Sequence, residues 1–268
     1  MTGSAPVLQV HDLTVRLPGG ADRENAIQGV SLQVRPQEII CLVGKSGSGK
    51  TTLAPCVMRL IELTAGTVLL DGTDVARLPT RAFRPFRKHI HIIFQDPYRS
   101  LNPRQPVGES IVEGPVNFGV PRRQAWARAR ELLELVALDP RGIDRYPHQF
   151  SGGARQRLCI ARALAMEPEV LVADEPVSAL DASVQAQVLE LLADIHRRFD
   201  LAMLFITHDL RVAAQVCDTA AVMYQGRVVE YGPVAEVFSR PRHAYTQALL
   251  DVAPGKGWAF GQAALVSA

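Results

Sequence analysis

The stretch Ile39–Glu62, "IICLVGKSGSGKTTLAPCVMRLIE", decides the fold. Its first five residues are a continuous apolar run, the pattern of a strand buried on both faces. The run breaks at Gly44, Lys45, Ser46, Gly47, Ser48, Gly49, Lys50, Thr51 and Thr52, and a helix-forming segment follows. Gly44-x-x-x-x-Gly49-Lys50-Thr51 matches the phosphate-loop pattern. Its glycines let backbone N–H groups turn toward phosphate oxygens, and the next helix adds the positive end of its dipole. Lys50 is placed to reach β and γ phosphates, and Thr51 to offer a hydroxyl to Mg²⁺. The plainer reading is a glycine-rich turn before a helix; the buried strand ahead of the loop favours nucleotide binding instead.

Working outward, "VLQVHDLTVRL", "AIQGVSLQV" and "EIICLV" read as short strands. "GTVLLDGTDV" reads as a hairpin with Asp71-Gly72 at its turn. The region from about 104 to 166 is helical in pattern, and "RRQAWARARELLELVAL" places Ala125, Ala129, Leu132, Leu133 and Val136 on one face. "EVLVADEP" and "LAMLFITHDL" are further apolar runs ending in polar residues, with the helical "SVQAQVLELLADIHRRF" between them. This alternation predicts an α/β fold with a mostly parallel sheet. The run "RAFRPFRKHIH" reads as an exposed helix face leading into the strand before Gln95.

The bulk composition narrows the function. The 268 residues hold 29 Lys and Arg against 27 Asp and Glu, a net charge of +2, which argues against a nucleic-acid binder working through bulk charge. No apolar run reaches the ~18–20 residues of a membrane span, and the start lacks the pattern of a signal peptide. Cys41, Cys56, Cys159 and Cys217 are scattered, without a Cys-x-x-Cys pair, and read as small buried apolar residues.

A phosphate loop needs an acid on a neighbouring strand to orient a metal. Asp174 closes the apolar run "VLVAD" and Glu175 follows it, so one carboxylate can hold Mg²⁺ while the other polarises a water for attack on the γ-phosphate. His208 closes the run "LFITH"; alone it would read as a core histidine, and beside these residues it reads as a γ-phosphate contact. A second glycine pair stands in "FSGGARQR", residues 150 to 157. Ser151 there can cap a helix whose first residues, Gly152 and Gly153, leave bare N–H groups for an anion.

In order, "GKSGSGKT", "FQDP", "FSGGARQR", "VLVADEP", "SALD" and "THD" resemble the motifs of the ATP-binding cassette (ABC) family, over about residues 7 to 250. The resemblance implies a P-loop NTPase core with a mixed, mostly parallel sheet, an antiparallel β subdomain and an inserted α-helical subdomain. It implies one ATPase domain over residues 1–254, with about 96–168 as the helical and signature subdomain and 255–268 as a flexible tail. It further implies ATP and Mg²⁺ as ligands. Its catalytic residues are Glu175, His208 and Gln95, and Thr51, Gln95 and Asp174 surround the metal. Gln95 also links the core to the helical subdomain that meets the membrane partner. Asp181 couples two sites across a dimer, and Ser151, Gly152 and Gly153 reach nucleotide held by the partner subunit.

Two departures stand out. The family's Leu-Ser-Gly-Gly-Gln ends here in Ala154, which keeps the backbone donors and loses an amide for ribose. Leu17 occupies the place of an adenine-stacking aromatic residue, and residues 1 to 50 contain no Phe, Tyr or Trp. Stacking is worth about 1–3 kcal/mol per base in nucleic-acid systems, so a modest preference for ATP over GTP is expected.

"FQDPYRSLNPRQPVGESI" and "SRPRHAYTQALL" narrow the resemblance to ATPases of peptide/nickel importers. The implied partners are a second ATPase subunit, in a heterodimer before a homodimer, two membrane permeases and, indirectly, an extracytoplasmic substrate-binding protein. No nucleic-acid partner is expected, and the implied location is peripheral, on the cytoplasmic face of the inner membrane. The group's frequent iron–sulfur cluster would need late cysteines, and none follows Cys217. Two rivals are a soluble, non-transport cassette ATPase acting on nucleic acid or ribosomes, and a phosphate-loop kinase. The first usually adds a coiled coil or a second cassette; the second leaves "FSGGARQR" and "THD" without a purpose.

Overall fold

Apolar alternation builds the first layer of the computed structural model, which describes residues 5–16 and 26–253. Leu17 and the 255–268 tail lie outside these residues. Strand β1 (Leu8–Val15) buries Leu8, Val10, Leu13 and Val15. A bulge after Val10, with Asp12 at φ 47°, resets the phase so that all four share one face. It pairs antiparallel with β2 (Ile27–Val34). Next in the chain come β3 (Ile39–Val43), fully buried, and helix α1 (Lys50–Val57). The helix ends at Val57, five residues before Glu62, to which the sequence pattern had carried it; Arg59 at φ 54° turns the chain away.

Strands β4 (Ala65–Leu70) and β5 (Thr73–Asp74) form the expected hairpin. Asp71 and Gly72 both have positive φ, 47° and 73°, as a tight two-residue turn requires. These strands complete an antiparallel sheet in the order β2-β1-β4-β5. The "RAFRPFRKHIH" segment is not one helix: α2 (Thr80–Phe83) passes into a 3₁₀ turn over Arg84–Lys88, where Pro85 interrupts. Phe83 is buried beneath the guanidinium groups of Arg59 and Arg87, 4.6 and 5.6 Å from its ring centre, while Arg81, Arg84, Arg87 and Lys88 stay exposed as the sequence reading expected.

After β6 (Ile90–Ile93) the chain turns helical through α3 (Pro97–Ser100), α4 (Val107–Asn117), α5 (Arg122–Leu135) and α6 (Gly152–Leu164). Ala125, Ala129, Leu132, Leu133 and Val136 are all buried, as their helical spacing predicted. The α/β alternation then resumes: β7 (Val170–Asp174), α7 (Ala182–Arg198), β8 (Ala202–Ile206), α8 (Leu210–Val216) and β9 (Thr219–Tyr224). An edge strand β10 (Arg227–Pro233), α9 (Val234–Ser239) and α10 (Ala244–Asp251) finish the described chain.

The central sheet runs β10-β9-β3-β8-β7-β6, parallel throughout except β10. Its strands alternate between two cores. Ile40, Leu42, Val170, Val172, Leu204 and Ile206 face α1 and the antiparallel sheet, while Cys41, Val43, Leu171, Ala173, Met203 and Phe205 face the helices. Both faces being covered explains the unbroken apolar strands. The C-terminal ends of β3, β7 and β8 therefore open on one rim, and the phosphate-loop residues, Asp174, Glu175 and His208 all sit there.

Candidate active site

The loop at Gly44–Gly49 is shaped by contacts that exclude side chains. Gly44 sits at φ 153° and a Cβ there would lie 2.2 Å from the Met223 carbonyl oxygen. Gly49, at φ 102°, caps α1, and a Cβ would meet the Ala26 carbonyl oxygen at 2.5 Å. Lys50 is buried and its ammonium donates to the carbonyls of Gly44 (2.7 Å) and Lys45 (3.0 Å), closing the loop on itself. Burial holds the Lys50 pKa below its ordinary value, with Glu175 and then Asp174 pulling it back up. Ser46, Gly47 and Thr51 are exposed at the mouth, and Thr52 and Ser48 lie deeper. The N–H groups of Lys50 and Thr51, the first two of α1, have no partner within the helix, whereas Thr52 and Leu53 already donate to the Gly49 carbonyl.

Opposite this loop, β7 ends in two carboxylates with different surroundings. Asp174 still pairs in register with Ile206 and is buried; burial first, and the Glu175 charge second, push its pKa up to about 6, against the pull of Lys50. Its Oδ1 has no hydrogen-bond partner in the chain. Glu175 then leaves the strand in a left-handed conformation, φ 46°, with its own N–H donating to the Ile206 carbonyl at 2.9 Å. A non-glycine residue held there costs about 1–3 kcal/mol, and such strain gathers at functional sites. The turn aims its carboxylate at two groups: Gln95 Nε2 donates to Oε2 (2.9 Å), and His208 Nδ1 lies 3.1 Å from Oε1. Lys50, Asp174, Glu175, Gln95 and His208, drawn from four separate segments, thus form one cluster.

Gln95 is also tied to the helical region. Its Nε2 reaches Ser178 Oγ at 3.4 Å, and Ser178 Oγ donates to the Glu175 carbonyl at 3.1 Å. Directly after Gln95, α3 packs on α6. The Arg155 guanidinium lies 4.0 Å from the Tyr98 ring centre and donates to the Pro147 carbonyl, and Arg162 donates to the Ser100 carbonyl. The segment that follows Gln95 is thereby fixed to the helix that Ser151 caps.

That helix tip stands apart. Ser151 Oγ accepts from Ala154 N at 3.3 Å as the N-cap of α6. A Cβ on Gly152 would meet nothing within 4 Å, whereas one on Gly153 would meet Val184 Cγ1 at 2.4 Å. Gly152 is therefore open to solvent, and Gly153 is glycine because α7 packs against it. Asp181 caps α7, accepting from Val184 N at 3.0 Å, so it also holds the residue that Gly153 touches. Among the described residues, no hydrogen bond joins residues 151–153 to the phosphate loop or the Glu175 cluster.

An ABC transporter family model matches residues 27–178, which hold the phosphate loop, the Ser151 tip and both carboxylates. The chain belongs to the ABC transporter family. Among relatives of this ABC chain, a putative peptide import ATP-binding protein of Brucella ovis is 47% identical over 250 residues, covering 93% of this chain and 79% of its own. The glutathione import ATP-binding protein GsiA of Escherichia coli O157:H7 is 46% identical over 257 residues, again 93% of this chain but 41% of its own. Among solved structures, cbiO1 of Clostridium perfringens, described as part of an ABC transporter complex, superposes with TM-score 0.78 at 27% identity. The match covers 88% of this chain and 92% of that one. The ATP-binding cassette MJ0796, a dimer in a post-hydrolysis state bound to ADP and phosphate, superposes with TM-score 0.75 at 27% identity, over 85% and 98%. The fold is the ABC ATPase fold, and the chain is a nucleotide-binding, ATP-hydrolysing subunit.

Sequence reading missed two groups in this ABC site. Ser178 bridges Gln95 and the Glu175 backbone; its place within "SALD" was a signal, read only for Asp181. Tyr245 contacts the phosphate loop from 200 residues away, and no local pattern announces such a contact. Leu17, expected at the adenine, lies outside the described residues.

Proposed function

We propose that this chain powers import of a peptide-class substrate through a membrane ABC transporter, working as a nucleotide-sandwich dimer. What carries the chemistry is the Glu175 carboxylate, clamped between Gln95 and His208 beside Lys50. With both oxygens already oriented, Glu175 is set to accept the proton of an attacking water, and His208 to contact the γ-phosphate. Lys50 exchanges its loop carbonyls for phosphate oxygens, while Gly44 to Thr52 supply the surrounding amides and hydroxyls.

The residues suit Mg²⁺: Asp174 offers a buried oxygen that lacks a partner, with Thr51 and Gln95 as neutral oxygen donors, the hard-ligand set this ion takes. Bound there with nucleotide, Mg²⁺ would neutralise phosphate charge. Ser151, Gly152 and Gly153 would act on nucleotide held by a second ATPase subunit, with Asp181 at the seam, as their separation from the chain's own loop favours. MJ0796, a dimer of the same fold, supports that arrangement.

In this reading residues 1–254 are one ATPase domain with a helical subdomain over about 96–168. The second ATPase is a different chain, two permeases dock on the helical subdomain, and a binding protein delivers cargo from outside. The protein sits on the cytoplasmic face of the inner membrane; no helix among the described residues is long and apolar enough to cross it. Peptide cargo is favoured by the peptide and glutathione import proteins to which the chain is similar at 45–47% identity. Affinity purification of the tagged chain from its own membranes tests this. Recovery of two permeases and a second ATPase is expected; recovery of ribosomes or DNA, with no permease, would overturn it.

A further inference from the structure

The helix α10 meets the phosphate loop directly. The backbone N–H of Lys45, the second residue of that loop, donates to the Tyr245 hydroxyl oxygen at 2.9 Å. Three other contacts fix Lys45 as well: its carbonyl accepts from Lys50 Nζ at 3.0 Å and from Ser48 N at 3.2 Å, and Gly44 before it accepts from Lys50 at 2.7 Å. Tyr245 therefore holds one face of the peptide whose other face holds the phosphate-binding lysine.

Tyr245 is itself well anchored. Its ring stacks on Tyr224, centroids 4.1 Å apart, at the end of β9, beside Met223, whose carbonyl shapes Gly44. His243 caps α10, with Nδ1 accepting from Tyr245 N at 3.1 Å. The Glu230 carboxylate accepts from the N–H groups of Arg242 (2.8 Å) and His243 (3.1 Å), tying the cap to β10. At its other end α10 contributes Leu249 to a cavity of about 380 Å³ that His208 also lines. One short helix thus borders the phosphate loop at one end and the histidine at the other.

We propose that Tyr245 is a positioning residue of the phosphate loop, and that α10 acts through its hydroxyl to set nucleotide affinity. By occupying the Lys45 N–H, the hydroxyl fixes the orientation of that peptide, so the amides that follow, from Ser46 onward, point into the mouth. This role rests on nucleotide binding at the loop, not on the identity of the cargo. It also gives a purpose to the late segment "SRPRHAYTQALL", which contributes nothing to the catalytic cluster itself.

The test is ATP binding by the full chain, comparing wild type with Tyr245→Phe, which keeps the ring stack and deletes the hydrogen-bond acceptor. Losing one such bond is expected to raise the Kd for ATP about 3- to 10-fold. Turnover at saturating ATP should stay within about twofold, the thermal midpoint should fall by no more than about 2–4 °C, as for one lost hydrogen bond in a chain of this size, and amide exchange at Lys45 should quicken. Tyr245→Leu should weaken binding further, and Asp251→Asn, at the exposed far end of α10, should behave as wild type. The proposal is overturned if Tyr245→Phe binds ATP as wild type does, or if turnover at saturating ATP falls as far as affinity does. Failure of the wild-type chain to bind ATP would instead remove the reading of the loop itself.

Discussion

The phosphate loop and the Ser151 tip are both glycine-rich helix starts, yet the chain treats them in opposite ways. At the loop, glycines are required because backbone presses in from Met223 and Ala26, and Lys50 and Tyr245 hold the loop from within and without. At the tip, Gly152 faces open space and only Gly153 is crowded, by Val184. The first is a finished cradle; the second is a capped helix end with nothing of its own chain to grip. This contrast is the physical reason for expecting the tip to serve another subunit's nucleotide.

The largest expected effect breaks the finished side. Glu175→Gln keeps the shape and the contacts of the cluster but cannot take a proton, so phosphate release should slow about 10²- to 10⁴-fold. ATP affinity, measured by direct binding, should stay within a few-fold; binding lost together with turnover would remove Glu175 as the base.

The two glycines of the tip sharpen the comparison next. Gly153→Val drives methyl groups into α7 and should destabilise the chain by about 1–3 kcal/mol in urea unfolding. Gly152→Asp enters open space at a helix N-terminus, where an acid is stabilising by about 0.3–1 kcal/mol, yet it sets a negative charge where phosphate is to dock. It should leave the fold intact and abolish the ATP turnover that needs a second ATPase subunit. A loss of stability in both variants alike would mean that the tip is merely structural.

Within the cradle, Asp174 carries a cost that pH exposes. Its folded pKa, about 6, lies above the unfolded value near 3.9, so the folded chain binds more protons between those values. Stability therefore falls as pH rises through this window, and the full penalty is present above about pH 6. Asp174→Asn should raise the stability of the metal-free chain by about 1–3 kcal/mol at pH 8, with the gain fading toward pH 4, while weakening Mg²⁺-dependent nucleotide binding. Thermal melts across pH decide this; a gain independent of pH would contradict it.

The sequence disclosed the loop, the acids and the strands that carry them because each is local: an apolar run, a glycine spacing, a polar end. Asp71-Gly72 was readable for the same reason, since the turn type dictates its residues. What escaped depended on distance or on a neighbour. The short α1 and the broken "RAFRPFRKHIH" helix reflect turns at Arg59 and Pro85 that outweigh apolar periodicity. Gly153 looked like an anion donor and proves also to be a packing glycine, because Val184 is a neighbour only in the folded chain. The left-handed Glu175 could not be foreseen, since nothing in "ADEP" favours positive φ at a glutamate.

The most direct test of a tip that works in trans uses the hydrolysis-slowed Glu175→Gln chain, alone and with the second ATPase, at saturating ATP in an analytical ultracentrifuge. Adding Gly152→Asp should leave ATP binding to the single chain unchanged and abolish ATP-driven pairing. If it instead weakens ATP binding to the solitary chain, the tip reaches its own loop, and the shared-nucleotide account is wrong.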